Sequence, residues 1–341
     1  MGAVRWRVVD YMEFLSEIVG YKAGVAMSDS EFADQLADMP GYDGFAGLPR
    51  KTWIRTRSEI VQSTVAWLLF RLGNIETPIT MPPLFDVVRK YLDKPRKLKL
   101  LMTVGDELFR FTRRALERAE KRGEKAIDPT PLIKQVERKH GVRAAQMAVE
   151  MVLSLDRSLH IMPWSRIRMV DWKDTVRLRD LFKNESLTTH YGFFLDQRFI
   201  DFLSNNFDRI DEINWRKFEG LAGEFFTREG YHVEMGRGRA DQGVDLRVWP
   251  DKERATGPPL VIVQCKRQKD KVEQVVVKAL WADVVHERAR SGLIVTTSRL
   301  APSSETVRKA RSYPVEQADR DTLRRWIREM RTPALGITLT E

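Results

Sequence analysis

Four side chains in the C-terminal part of the chain have the types and spacing to do chemistry together: Glu219, Asp245, Gln264 and Lys266. Gln264 and Lys266 stand two apart at the end of the apolar run LVIVQCK. In a strand, residues i and i+2 point to the same face. The two therefore project together, while Val263 and Cys265 point the other way. Asp245 lies near the start of an earlier strand-like stretch, VDLRVW. If the two strands pair as a hairpin, its carboxylate comes beside the amide and the ammonium. Glu219 lies on a helical stretch ahead of both, next to Phe218 at the edge of an apolar stripe.

Such a set suits phosphodiester hydrolysis. Mg²⁺ (or Mn²⁺) prefers oxygen ligands, commonly one or two carboxylates plus water and substrate phosphate. Asp245 can be the principal ligand and Glu219 a second, directly or through water. The Gln264 carbonyl can be a neutral ligand or hold a metal-bound water. Lys266 can orient the attacking water or stabilise charge on the scissile phosphate. The metal acidifies water and neutralises phosphate charge. The five histidines are scattered, with no pair at ligand spacing, which argues against histidine-dependent hydrolysis. Cys265 faces away from this group and reads as a core residue.

The elements that must position these residues follow from hydrophobic period and punctuation. Residues 214–228 predict a helix with Asn214 as N-cap and Gly230 after its end. Phe218, Leu221, Ala222, Phe225 and Phe226 form its buried stripe. Strands are expected at 231–235, 244–249, 260–266 and 292–297, and a short one at 314–317. Helices are expected at 272–290, 303–311 and 321–330. This order implies a central mixed sheet flanked by helices. The loop GRGRADQG places Arg237 and Arg239 where they could grip phosphate, and Asp241 where it could support the site or shape the loop. Arg267, just past Lys266, is a further candidate nucleic-acid contact. Glu224 is a rival for the helix role but points to a different face. Thr296 and Thr297 end a strand and read as structural.

The stretches FEGLAGEFFTREGYHVE, GRGRADQGVDLRV, LVIVQCKRQ and GLIVTTSRLAPSSETVRKA occur in this order and together resemble the Mrr-type restriction endonuclease domain. That family belongs to the PD-(D/E)xK nuclease superfamily. The resemblance covers about residues 215–330, and four motifs in order are far more specific than a lone aspartate-to-QxK spacing. It implies a restriction-endonuclease-like fold. It also implies that Glu219, Asp245 within DQGVD, and Gln264 with Lys266 form the catalytic set. One departure is Gln242, where the family often has glycine. By resemblance the activity is Mg²⁺-dependent DNA endonuclease action in restriction of foreign or modified DNA, or in antiviral defence. The implied partner is DNA. A homo-oligomer is implied as well, because cutting two strands takes two sites. Two other readings are carried: a nucleic-acid-binding or assembly module with a weak or silent site, and an RNA nuclease.

The composition bounds these readings. The chain of 341 residues is 43% hydrophobic and 31% charged, as expected of a globular protein of about two domains. One cysteine leaves no disulfide framework and suggests a reducing compartment, the cytoplasm. No basic-then-apolar leader opens the sequence and no apolar run is long enough to span a bilayer. The net charge of +10 and pI of about 9.6 favour a polyanionic partner. Residues 186–341 hold 26 Lys and Arg against 23 Asp and Glu, so most of the excess lies ahead of them.

The fold expected overall is therefore a helical N-terminal region followed by a restriction-endonuclease-like α/β domain. Residues 1–190 read as mainly helical, with a role in DNA recognition, partner-protein binding or regulation. Helices are predicted at 58–72, 84–92, 97–121 and 143–159, with a loop at 123–131. Lys94, Arg96, Lys97, Lys99, Arg110, Arg113 and Arg114 could track a duplex backbone or form a solvated surface. The aromatic-rich residues 191–212 are expected to form a helical connector, with helix beginning near Leu187. Residues 213–341 are expected to form the nuclease domain.

Overall fold

The computed structural model describes residues 3–79, 83–122, 127–238 and 243–331. Arg239, Asp241 and Gln242 lie outside the described residues. The C-terminal part is built on a five-stranded mixed sheet. It opens with helix α1 (Trp215–Arg228), followed by strands β1 (His232–Met235), β2 (Leu246–Trp249) and β3 (Val261–Lys266). Helix α2 (Gln274–His286), strand β4 (Ser291–Thr296), helix α3 (Pro302–Ala310), strand β5 (Val315–Ala318) and helix α4 (Arg320–Met330) complete it. The strands lie in sequence order, β1-β2-β3-β4-β5. The first three pair antiparallel, and β3, β4 and β5 pair parallel through the helical crossovers α2 and α3.

Local chemistry explains these boundaries. The Asn214 side chain accepts the Arg216 N–H and starts α1, and Gly230, with φ of 90°, follows its end. The expected helix at 272–290 is shorter, Gln274–His286. The sheet is buried on both faces. Leu246, Val248, Val263 and Val295 meet Phe218, Leu221 and Ala222 of α1 and Leu323 and Ile327 of α4. Ile262, Ile294 and Val315 meet Val277, Leu280 and Val284 of α2 on the other side. The short apolar strands predicted from VIV and GLIV are thus the interior of the domain.

The region ahead is helical but not wholly so. Residues Ala3–Arg7 and Trp53–Arg57 pair as an antiparallel two-stranded ribbon. Val25–Ala26 pairs in parallel with Val176–Arg177. These four short strands lie within a region that is mainly helical, as expected. Strands of two to five residues give little period to read, and their burial depends on partners distant in sequence. Helices Val8–Ala23, Asp29–Leu36 and Ser58–Arg71 pack with the C-terminal part in one continuous core. A second group of helices, Pro83–Arg89, Pro95–Arg122, Thr130–His140 and Val142–Ile161, has a core of its own, including Val104, Leu108, Val136 and Met147. Residues 83–161 hold 18 Lys and Arg against 11 Asp and Glu, so this bundle carries nearly all the charge excess of the first 185 residues.

The aromatic connector also differs from its expectation. Helix occupies only Gln197–Asn205, continued by a 3-10 turn over Phe207–Glu212. Residues ahead of it run as a turn-rich segment because Glu224 organises them. The buried Glu224 carboxylate accepts the backbone N–H groups of Phe193, Phe194 and Leu195 at 2.8, 2.7 and 3.1 Å. It also takes the Arg228 guanidinium at 2.8 Å. Glu224 is thus a structural strut and points away from the chemistry. Glu224→Ala leaves three backbone N–H groups, that of the buried Leu195 among them, without this acceptor and removes the ion pair of Arg228. It is expected to lower stability by about 3–5 kcal/mol, read from the denaturant midpoint.

Candidate active site

The β2–β3 hairpin brings the predicted residues together. Leu246 faces Val263, which sets Asp245 beside Gln264. The Asp245 N–H donates to the Val263 carbonyl at 2.9 Å. Its carboxylate Oδ2 accepts the Cys265 N–H at 2.6 Å. Asp245 is thus fixed at both backbone and side chain. Glu219 reaches the same place from α1, and its carboxylate lies against that of Asp245. Glu219, Asp245, Gln264 and Lys266 line one cavity of about 330 Å³, together with Trp215, Phe218, Gly243 and Arg267.

The site is strained electrostatically. Both carboxylates are buried, Glu219 at 5% and Asp245 at 9% exposure. Burial first, and then the facing Asp245 charge, push the Glu219 pKa up to about 8. The counterweight is Arg216, whose Nη1 lies 2.6 Å from Glu219 Oε2. Arg216 Nη2 also donates to the Gly236 carbonyl at 2.8 Å, and the Gly236 N–H donates to the Asp245 carbonyl at 2.7 Å. One guanidinium therefore ties the Glu219 carboxylate to Gly236, which in turn holds the Asp245 backbone. Sequence reasoning missed Arg216. The signal was present as an i, i+3 pair with Glu219 on one helix face.

Among the described residues, two polar groups in the cavity have no partner. Gln264 Oε1 is buried without a hydrogen-bond partner. Buried acceptors are rarely left so, and the orphan faces a place where a donor or cation belongs. The Lys266 Nζ makes no hydrogen bond or ion pair among the described residues, although the residue is half-buried. Its backbone is held firmly, because Thr296 Oγ1 donates to the Lys266 carbonyl at 2.8 Å. The next turn is pinned by Thr297, which accepts the Gln268 N–H and donates to the Gln268 carbonyl. The structural threonines of the sequence reading thus aim the Lys266 segment.

Gly243 shapes the entrance. Its φ is 93°, and a Cβ there would stand 3.1 Å from Gln264 Nε2. Arg237 is exposed on the loop ahead. Arg267 lines the cavity while its Nη1 donates to the Asp211 carbonyl. Burial and the two nearby acids push the Cys265 thiol pKa well up, which disfavours a thiolate. The basic groups of the bundle lie elsewhere. Arg110, Arg114 and Arg118 line a cavity of about 580 Å³ with Phe111 and Lys139. Its Glu107 is taken up by Gln135, Lys139 and His140.

The residues present fit a divalent cation. Two facing carboxylates repel one another, and an orphaned amide oxygen lines the same cavity. A hard cation answers both features. Glu219 then makes a pH-dependent prediction. Its folded pKa is raised from the ordinary 4.5 to about 8. The stability contributed by its protonated form is full below about pH 4.5 and is lost as pH rises through about 8. In EDTA, the melting temperature of the wild type should fall relative to Glu219→Gln as pH rises over this range. Mg²⁺ should restore the wild type more than the variant. Parallel melting profiles in EDTA would contradict this assignment.

The helix, the hairpin and the mixed sheet give the α/β class expected of a restriction-endonuclease-like domain. In agreement, residues 210–327 match the family model of the Mrr catalytic domain, described as restriction endonuclease. The resemblance carried by the four motifs holds over this stretch. Among solved structures, the chain is similar to the MspJI restriction endonuclease in complex with a 27-mer oligonucleotide. The identity is 18%, over 58% of this chain and 44% of that chain, with a TM-score of 0.30. The chain thus spans less than half the length of that protein. No curated protein matches the chain. No helix among the described residues is long and apolar enough to cross a membrane.

Proposed function

We propose that the protein is a Mg²⁺-dependent endonuclease that hydrolyses phosphodiester bonds of DNA and serves in restriction or antiviral defence. The observation that carries this reading is one cavity holding two facing carboxylates, an orphaned amide oxygen and an uncommitted lysine. The family match over residues 210–327 supports nuclease chemistry and DNA as the polymer.

Asp245, Glu219 and the Gln264 carbonyl would hold the cation. When bound, it would neutralise phosphate charge and lower the pKa of water. The chain's own residues do the rest. Asp245, locked by the Cys265 N–H, keeps its position when the phosphate enters. Lys266 directs its ammonium at the phosphate oxygens or the attacking water, and stabilises the charge that builds on the phosphoryl group. Water adds to phosphorus as the bond to the leaving deoxyribose oxygen breaks. Arg216 holds Glu219 toward Asp245, and Trp215 and Phe218 exclude bulk water from that side of the cavity.

The test uses covalently closed plasmid and a structured RNA, each with Mg²⁺, Mn²⁺ or EDTA. Nicking or linearisation of the plasmid with either metal and none in EDTA is expected. Cleavage of RNA alone would replace DNA by RNA in this reading. Binding with no cleavage of either polymer would make the domain an assembly or binding module.

A further inference from the structure

We propose that the outer face of the ribbon formed by Ala3–Arg7 and Trp53–Arg57 docks on duplex DNA. Residues 3, 5 and 7 share one face of their strand, and the register places them opposite 57, 55 and 53. The face therefore displays Arg5, Arg7, Arg55, Arg57 and Trp53, all exposed. The other face turns Trp6, Ile54 and the buried Thr56 inward.

Three observations set this face apart from an ordinary solvated surface. First, it does not follow from local composition. Residues 1–57 hold seven Lys and Arg against eight Asp and Glu, yet four of the seven gather here. Second, the arrangement is unfavourable by itself. Arg5 stands directly across from Arg55, and like charges in that position destabilise a ribbon. Only Arg7 is neutralised, by both oxygens of Asp10. Arg55 and Arg57 have no ion pair among the described residues, and Arg5 has only the Trp53 ring, 5.5 Å from its guanidinium carbon. Third, Trp53, across from Arg7 at one end of this charged face, is 59% exposed. An apolar ring in water beside guanidinium groups fits a ligand that is polyanionic and also offers apolar surface.

Nucleic acid meets both demands. Arginines pair with phosphate oxygens and with guanine edges, and a tryptophan ring packs on sugars or on thymine methyl groups. A two-stranded ribbon, with strands about 4.8 Å apart, enters the major groove of B-form DNA, which is about 12 Å wide. The ribbon thus supplies duplex contacts separate from the nuclease cavity. The choice of DNA as polymer rests on the nuclease reading; the ribbon's chemistry stands without it.

The experiment measures binding of the full chain to a fluorescein-labelled duplex by anisotropy, in EDTA, across a salt series. R5Q/R55Q/R57Q should weaken binding at least tenfold. It should also flatten the slope of log K against log salt by about 2–3, since each lost phosphate contact contributes about 0.9. Trp53→Ala should weaken binding severalfold with an unchanged slope. The triple variant should melt no lower than the wild type, because the Arg5–Arg55 repulsion is gone. A matched triple on the bundle, K134Q/R138Q/R143Q, serves as the charge control. A ribbon loss no larger than the control loss overturns the proposal, as does a loss confined to single-stranded oligonucleotide. Duplex binding through the ribbon without any cleavage would count against the nuclease reading alone. Cleavage with wild-type binding by the ribbon triple would count against the ribbon alone.

Discussion

Asp245→Asn is expected to reduce DNA cleavage by about a thousandfold or more while the protein stays folded and binds DNA. The geometry gives the reason for both halves. Asparagine keeps an oxygen for the Cys265 N–H, so the bond at 2.6 Å that fixes this side chain survives. The hairpin register and the Val263 pairing do not involve the side chain. What is lost is the negative charge beside Glu219. Without it, the charge repulsion on Glu219 disappears and its pKa falls below about 8, while burial, the larger cause, still holds it up. The cavity then holds one carboxyl group in place of a facing pair. A divalent cation loses its best ligand, and metal affinity and turnover fall together. Single-turnover cleavage and a Mn²⁺ titration of the variant check both. Cleavage within tenfold of wild type would remove Asp245 from the reaction.

Lys266→Ala should reduce cleavage by about 10²–10³-fold through a different loss. Its ammonium makes no ion pair among the described residues, so none of those breaks on truncation. The strand end is held by Thr296 through the Lys266 carbonyl, which alanine retains. Stability and metal affinity should therefore stay near wild type while the rate of the chemical step collapses. This separates Lys266 from Asp245, whose replacement loosens the metal. Lys266→Arg keeps charge but spreads it over a planar fork and should recover only part of the rate. An equal loss of metal affinity and rate in Lys266→Ala would contradict this division of labour.

Much of the C-terminal arrangement was legible because its signals are local. Asn214 and Gly230 bracket α1, and the runs VIVQCK and GLIVT are short apolar strands. The i, i+2 rule alone paired Gln264 with Lys266. What stayed hidden depends on contacts across long sequence separations. The ribbon needs residues 3–7 to meet 53–57. Its alternation, RWR against WIRTR, is readable once the pairing is known. The segment before Gln197 is rich in aromatic residues, yet it is not helix. Glu224, far along the chain, takes three of its N–H groups. Arg216 went unnoticed because an arginine three residues from a glutamate is common on helix surfaces. Only burial of Glu219 beside Asp245 gives that pair its weight. Arg239 and Asp241, expected near the site, lie outside the described residues.

The central claim is that the cavity around Asp245 cuts DNA with a divalent metal. The most direct measurement is single-turnover cleavage of closed circular plasmid by wild type and Asp245→Asn, prepared side by side, with Mg²⁺ and with EDTA. The account predicts nicked or linear product from the wild type with Mg²⁺ only, and intact plasmid from the variant in both. Product from the variant at the wild-type rate, or from the wild type in EDTA, would contradict it.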